Sequence, residues 1–454
     1  MRERLAVDDA LAAVLAAAPG GPLGGRPLRA ERVALGDALG RVLAADVRAG
    51  WDVPPRANAS MDGYAVRAAD AAGARPDAPA RLRVVGEAPA GRPWGGTVGA
   101  GEAVRIATGA PVPAGADAVV RVEDTDAADD GGTVLVRDGR DARETDTAGG
   151  GARRNVRPAG EDLRAGSVAA RAGTAVTPGV VGVLAAAGAA HVDVVRRPRV
   201  AIVASGDELV ALDDLARARA GDATVNANAP ALAALVRAAG GEPVDLGVAP
   251  DTPEGVRARI AAARDAGCDV VLTSGGVSVG PRDLVRPAVE ALGGRLDFWR
   301  VRMRPGGPLA FGTLPAPDGT ALPWFGLPGN PVSTVVTFAV FVRPLLRALA
   351  GDARPFRRVL RAAAGEPLRT AAPLTHFLRV TLATDDAGGL VARLTGPQGS
   401  GLLSSVAAAD ALAVVPAGAR EVPAGAPVRI LPLGGDALAG DPFACADRPS
   451  YEGT

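Results

Sequence analysis

The sequence predicts a multidomain α/β protein, and three observations carry that prediction. The chain has 454 residues, more than one hydrophobic core ordinarily serves, which implies two to four domains. Across residues 199–350, short apolar runs alternate with segments of helical period, the pattern of a parallel sheet with right-handed crossovers. On either side, across 82–122 and 358–431, the pattern turns to short strands and turns, in a chain with 60 Gly and 38 Pro.

Taken in order, residues 1–18 mix Arg, Glu and Asp among alanines and read as an amphipathic helix, ending at the Gly/Pro-rich stretch 19–27. Residues 35–43 read as a second helix. Residues 51–66 form a long irregular segment with Pro54, Pro55, Asn58, Asp62 and Gly63, the kind of loop that often carries function. Residues 101–113 read as a strand running into a turn, 117–122 as another strand, and 126–154 as an acidic, Gly-rich loop with one strand at 133–136. A buried strand at 199–204 opens the alternating region. It continues with a helix (229–239), a strand (243–248), a helix (253–266), a strand (269–272) and a helix over 282–292. A further helix is expected from Val332 to about Ala350, with Asn330 as cap and Pro331 in its first turn. The last strands, at 358–360, 375–382, 391–394, 411–415 and 428–431, suit a small barrel or sandwich. The tail beyond Gly434 reads as disordered.

Composition excludes several classes. Charges balance at zero net, so no general affinity for nucleic acid or acidic membrane is implied. Two cysteines, Cys268 and Cys445, and two histidines, His191 and His376, are too few for a disulfide framework or a His-based metal site. Cys268 lies in an apolar run and reads as core. Neither a signal peptide nor an apolar run of membrane-spanning length is expected, which implies a soluble cytoplasmic protein. All 50 basic residues are Arg, so any site that ordinarily uses Lys must be built otherwise here.

The chemistry concentrates at three turns that follow strands of the alternating region. They are Ser205-Gly206-Asp207-Glu208, Thr273-Ser274-Gly275-Gly276-Val277-Ser278-Val279-Gly280, and Gly326-Leu327-Pro328-Gly329-Asn330-Pro331. Ligands on such sheets bind at the carboxyl ends of strands. A Gly-rich turn between strand and helix leaves N–H groups free for phosphate or another anion. Asp207, Glu208, Asp251 and Asp283 lie beside these turns. Each acid alone would ordinarily be a cap or a solvated surface group. Together with anion-binding turns they point to a phosphorylated ligand bridged by a hard divalent cation such as Mg²⁺.

These stretches resemble the molybdopterin molybdenumtransferase family, of the MoeA, plant and gephyrin E-domain type. The matching motifs also include Asn58-Ala59-Ser60-Met61-Asp62-Gly63-Tyr64-Ala65, Arg105-Ile106-Ala107-Thr108-Gly109-Ala110-Pro111-Val112-Pro113 and Arg157-Pro158-Ala159-Gly160-Glu161-Asp162. They follow in the family's order over residues 1–432. The resemblance implies a central three-layer α/β molybdopterin-binding domain with a mostly parallel sheet (197–350). Around it would lie a discontinuous N-terminal helical and extended domain (1–52 with 156–196), an inserted β-rich domain (53–155) and a C-terminal small β-barrel domain (351–432), with the tail at 433–454. It implies insertion of molybdenum from molybdate into adenylylated molybdopterin, with Mg²⁺-dependent release of AMP, in a homodimer whose site lies at the subunit interface. It also assigns residues. Asp62, Thr108, Glu208, Asp251 and Asp283 would be catalytic, with Glu208, Asp251 and Asp283 holding the metal. Ser205, Gly206, Asp207, Asn228, Ser274, Gly275, Gly276, Ser278, Gly280, Pro328, Gly329 and Asn330 would bind the pterin substrate. Arg304, Pro305, Arg379 and Ser400 would bind molybdate.

The sequence departs from the family pattern at two places. Gly307 stands where a second Lys is common, and His376 where an acid is usual. A non-catalytic molybdopterin-binding scaffold and a molybdopterin adenylyltransferase are the alternatives. The β segments before Asn155 and after Gly351 speak against the adenylyltransferase.

Overall fold

The computed structural model describes residues 2–18, 20–21, 28–128, 132–143, 145–146, 152–153, 155–276, 284–370 and 373–434. It divides into two compact units: Arg32–Val194, and Met1–Glu31 with Val195–Thr454.

The larger unit is built on a seven-stranded mixed sheet. Its order across the sheet is Arg2–Leu5, Arg295–Val301, Ala310–Pro315, Ala321–Leu327, Val270–Ser274, Arg199–Ser205 and Glu242–Ala249. Arg199–Ser205 lies parallel between Glu242–Ala249 and Val270–Ser274, and Val270–Ser274 is parallel to Ala321–Leu327. The hairpins at Ala310–Pro315 are antiparallel. Strand alternation fixes the layers. Val200 and Ile202 face one core with Leu272, Phe325 and Leu327, covered by helices Val7–Leu15, Asn228–Ala238 and Pro331–Leu349. Ala201 and Val203 face the other, with Val271 and Trp324, covered by Pro253–Asp265 and Val285–Ala291. The sheet is therefore the middle of three layers.

Three local expectations are corrected. Residues 2–5 form an edge strand parallel to Arg295–Val301, and helix begins only at Val7. Pairing satisfies this backbone, and the charges of Arg2, Glu3 and Arg4 suit an exposed edge. The helix expected over 35–43 is a single 3₁₀ turn, Leu35–Ala38. Gly36 lowers helix propensity, and Gly40, at φ +75, takes the chain into isolated bridges at Val42 and Leu43. The helix Pro331–Leu349, contrary to expectation, is long and apolar enough to cross a membrane, yet 83% of that window is buried inside the protein. Its length is that of a core helix. It includes a π-helical stretch, Phe338–Val342, just ahead of Pro344, whose ring cannot continue an α ladder.

The C-terminal strands close on themselves. Thr375–Thr384 pairs with Leu390–Leu394 and Ala411–Val415, and Leu360–Ala364 and Pro427–Pro432 complete the ring, a five-stranded barrel. Small residues such as Ala362, Ala364, Ala392, Ala411 and Ala413 fill it with Val380 and Ile430. A short strand from the sheet region, Met303–Arg304, adds to it beside Thr375 and His376. Phe377 belongs to the sheet core and Leu378 to the barrel core, so one strand serves both.

The smaller unit carries a six-stranded sheet in the order Ala118–Arg121, Gly63–Val66, Glu102–Ile106, Ala80–Ala88, Thr133–Val136, Thr125–Ala127. A separate core of Leu43, Leu184, Val192 and Val194 gathers around helix Pro178–Ala186, whose first turn is capped by the Thr177 hydroxyl and begins with Pro178.

Candidate functional site

The strand order reverses at Arg199–Ser205: the next strand of this sheet in sequence, Glu242–Ala249, lies on one side of it and the one after, Val270–Ser274, on the other. A crevice forms at the carboxyl end of such a switch point. The first two Gly turns meet there. Gly275 and Gly276 have φ of +92 and +66, which disfavours any side chain. A Cβ on Gly275 would stand 2.8 Å from the Ser205 carbonyl oxygen, and one on Gly276 3.0 Å from Ser205 Oγ. The two strand ends thus approach through bare backbone.

The third turn joins them. Asn228, opening helix Asn228–Ala238, donates from Nδ2 to Ser274 Oγ at 2.8 Å and to the Gly329 carbonyl at 2.8 Å. The Gly275 N–H donates to the Leu327 carbonyl at 3.2 Å. Asn330 occupies the cap position before Pro331, but its side chain makes no capping hydrogen bond, contrary to expectation. Thr334 holds the turn instead. Its buried hydroxyl contacts the Pro328 carbonyl at 2.6 Å and the Asn330 carbonyl at 3.1 Å. The sequence pattern does not single out Thr334. Its only signal was a hydroxyl one turn beyond the expected cap, on an apolar helix.

Asp207 and Asp251 are tied reciprocally. The Asp207 N–H donates to Asp251 Oδ2 at 3.2 Å, and the Asp251 N–H donates to Asp207 Oδ1 at 3.1 Å. Both are exposed. Glu208 folds back, its carboxylate oxygens 2.6 Å from where a Cβ on Gly206 would stand. A side chain at Gly206, with φ +140, would displace it. Among the described residues, no group of three or more His, Cys, Asp and Glu side chains is arranged to hold a metal ion. Ser278, Gly280 and Asp283 lie outside the described residues.

The residues expected to bind molybdate sit where sheet region and barrel join. Arg304 is exposed, in register with His376, and Pro305 is buried beside it. Arg379 is not an exposed charge but fully buried. Its Nε donates to Ser405 Oγ at 3.1 Å and its Nη2 to the Gly399 carbonyl at 3.1 Å, while Nη1 has no partner among the described residues. Burial pushes its pKa down. The Ser400 carbonyl accepts from the Val332 N–H at 3.1 Å. The loop held by Arg379 therefore reaches the start of the helix that follows Asn330. At Gly307 a Cβ would stand 3.2 Å from the Met303 carbonyl oxygen, a close fit against backbone.

In the other unit, Asp62 and Thr108 are brought together. Asp62 Oδ1 accepts from the Thr108 N–H at 2.7 Å and from its hydroxyl at 2.9 Å. These bonds, backbone first, and the charge of Arg105 hold the exposed Asp62 carboxyl below its ordinary pKa. Strand Gly63–Val66, antiparallel to Glu102–Ile106, fixes the two loops side by side.

Comparison with known proteins agrees with this architecture. Family models match in three consecutive stretches. These are the MoeA N-terminal region (domain I and II) over residues 5–188, a probable molybdopterin binding domain over 201–348, and the MoeA C-terminal region (domain IV) over 361–433. The molybdopterin molybdenumtransferase of Synechococcus elongatus is 34% identical over 408 residues, covering 90% of this chain and 95% of its own. Molybdopterin molybdenumtransferase 2 of Mycobacterium tuberculosis is 36% identical over 416 residues, 90% and 96% of the two chains. The crystal structure of the molybdopterin biosynthesis moeA protein from Pyrococcus horikoshii OT3 superposes with a TM-score of 0.78 at 28% identity, covering 94% of this chain and 100% of that one. With the switch-point crevice, the closed barrel and these full-length similarities together, the chain belongs to the MoeA family of molybdopterin molybdenumtransferases.

Proposed function

We propose that this enzyme of molybdenum cofactor biosynthesis inserts molybdenum from molybdate into adenylylated molybdopterin and releases AMP, as a cytoplasmic homodimer with its site at the subunit interface. The observation that supports this most is the convergence of Ser205–Gly206, Ser274–Gly276 and Gly329 through Asn228 at one strand-end crevice. Bare Gly backbone and hydroxyls there suit the phosphate groups of the pterin substrate.

Mg²⁺ fits the donors present. Asp207, Glu208 and Asp251 offer hard carboxylate oxygens but no complete cage, and Mg²⁺ ordinarily takes one or two carboxylates and completes its shell with substrate phosphate and water. When bound, it would neutralise phosphate charge as the phosphoanhydride is cleaved. In this reading Glu208 and Asp251 hold it together with Asp283. Asp207 orients Asp251 by their mutual backbone bonds. Asn228 and Thr334 keep the Pro328–Asn330 turn in place under the substrate. Molybdate is a dianion, and Arg379 Nη1 is a buried donor without a partner among the described residues, a position that gains by donating to an oxyanion. Arg304, with Pro305 and Ser400, would complete that pocket. Asp62 and Thr108 would position the reacting groups, with Asp62 ionised at neutral pH.

The test is a single-turnover assay with purified protein, adenylylated molybdopterin, Mg²⁺ and molybdate, scoring AMP and active cofactor. AMP release that depends on molybdate is the expected result. Tight pterin binding without AMP release would overturn the insertion reading in favour of a scaffold. Asp283→Ala should abolish turnover and leave pterin binding partly intact, and unchanged turnover would remove Asp283 from the site.

A further inference from the structure

The residues between the last core helix and the barrel carry a cluster of arginines that the reaction does not use. Arg343 and Arg347 stand one turn apart on helix Arg343–Leu349. Arg347 is paired, with Nε and Nη2 donating to Asp352 Oδ2 at 2.9 and 2.7 Å. Arg343 is not paired in that way. Its Nη1 donates to the Pro355 carbonyl at 3.0 Å, which draws the connecting segment onto the helix. That bond brings in Arg357, two residues further on. Arg357 is half-buried, and its Nε is buried without a hydrogen-bond partner among the described residues. Arg343 is pushed down to about 10, first by burial and then by the charges of Arg357 and Arg347, with Asp352 opposing. The carboxylate that faces this group is already engaged by Arg347.

A buried guanidinium donor left unpaired beside another cation lacks what guanidinium groups ordinarily meet, an oxygen-rich anion held by parallel N–H bonds. We propose that Arg343 and Arg357 form a binding site for a small tetrahedral oxyanion, at the joint between the core helix and the barrel. The fork geometry of two guanidiniums matches a tetrahedral dianion better than a single carboxylate, and a dianion neutralises both charges. Bound there, it would fasten the segment 352–359 to the helix and stiffen the attachment of the barrel. Free phosphate and molybdate share this chemistry.

Calorimetric titration and thermal unfolding of the full-length protein test this, at constant ionic strength in phosphate-free buffer, with inorganic phosphate and molybdate as separate probes. Phosphate at millimolar concentration should raise the wild-type melting temperature by a few degrees. Arg357→Gln should weaken phosphate binding about tenfold or more, the loss of a charge-assisted contact. Its melting temperature without phosphate should be unchanged or higher, because a half-buried cation with an unsatisfied Nε has gone. If Arg357→Gln folds poorly, Arg357→Lys serves instead: it keeps the charge, loses the fork and should bind with intermediate affinity. Arg369→Gln, an exposed change on the short strand Leu368–Arg369 outside the barrel ring, should keep the full phosphate response. A wild-type response that is absent, or equally large in the Arg357 variants, overturns the proposal. Competition by molybdate that also depends on Arg357 would show that the site takes either oxyanion. Molybdate binding indifferent to Arg357 would identify phosphate as its ligand.

Discussion

Asn228 ties two turns with one amide, and its loss would leave Ser274 Oγ and the Gly329 carbonyl without that donor. Asn228→Ala should weaken pterin-substrate binding about tenfold, from the ~1–3 kcal/mol that such a contact is worth, measured by equilibrium titration. Asp62 gives a pH signature. Its folded-state pKa is depressed, so the Asp62–Thr108 contact is fully present at neutral pH and is lost only as the pH falls through and below the ordinary carboxylate range. Thr108→Val removes the hydroxyl donor and keeps the backbone one, so the Asp62 midpoint should move part of the way up in a carboxyl NMR titration. An unmoved midpoint would show that the hydroxyl contributes nothing. Cys268 lies buried in an apolar run, and burial pushes its thiol up to about 11. It should resist alkylation at pH 8 in the native protein and react on unfolding.

The two ends of the long core helix do different work. At its start the Asn330 side chain makes no cap, and the Thr334 hydroxyl pins the site turn by donating to the Pro328 and Asn330 carbonyls. Thr334→Val keeps the shape and removes the donor, so turnover should fall more than stability, comparing single-turnover rate with melting temperature. Along the sheet, Ile202 is fully exchanged from solvent to core. Ile202→Ala should cost about 2–5 kcal/mol in denaturant unfolding, the ordinary price of a buried cavity. The alternation that buries Val200 and Ile202 on one face and Ala201 and Val203 on the other was legible in the sequence, because a strand covered on both faces reads as a continuous apolar run. The strand at residues 2–5 was not legible. Its charges say only that it is exposed, and its partner, Arg295–Val301, lies some three hundred residues away.

At the scale of the molecule, each compact unit owns its cores. Val66, Ala103 and Val120 close one in Arg32–Val194, and Phe298, Phe311 and Phe325 anchor another in the remainder. Scanning calorimetry should therefore resolve more than one transition, or give a calorimetric enthalpy above the van't Hoff value. Val120→Ala should shift one component and Phe325→Ala the other. A single transition displaced by both would show that the units unfold as one.

By itself the sequence determined the alternating strands and helices, the three strand-end turns, and the residue types of the site, because these depend on local period and on glycine where backbone must approach backbone. It also carried the motif order that marks the family. Tertiary structure alone decided which groups meet. The Asp207–Asp251 exchange, the Asn228 bridge, the burial of Arg379 beneath the Gly399–Ser405 loop, and the choice of a closed barrel all join residues distant in the chain. No local propensity encodes such pairings. They follow from which faces the packed cores leave open, and that is settled only once the whole unit is folded.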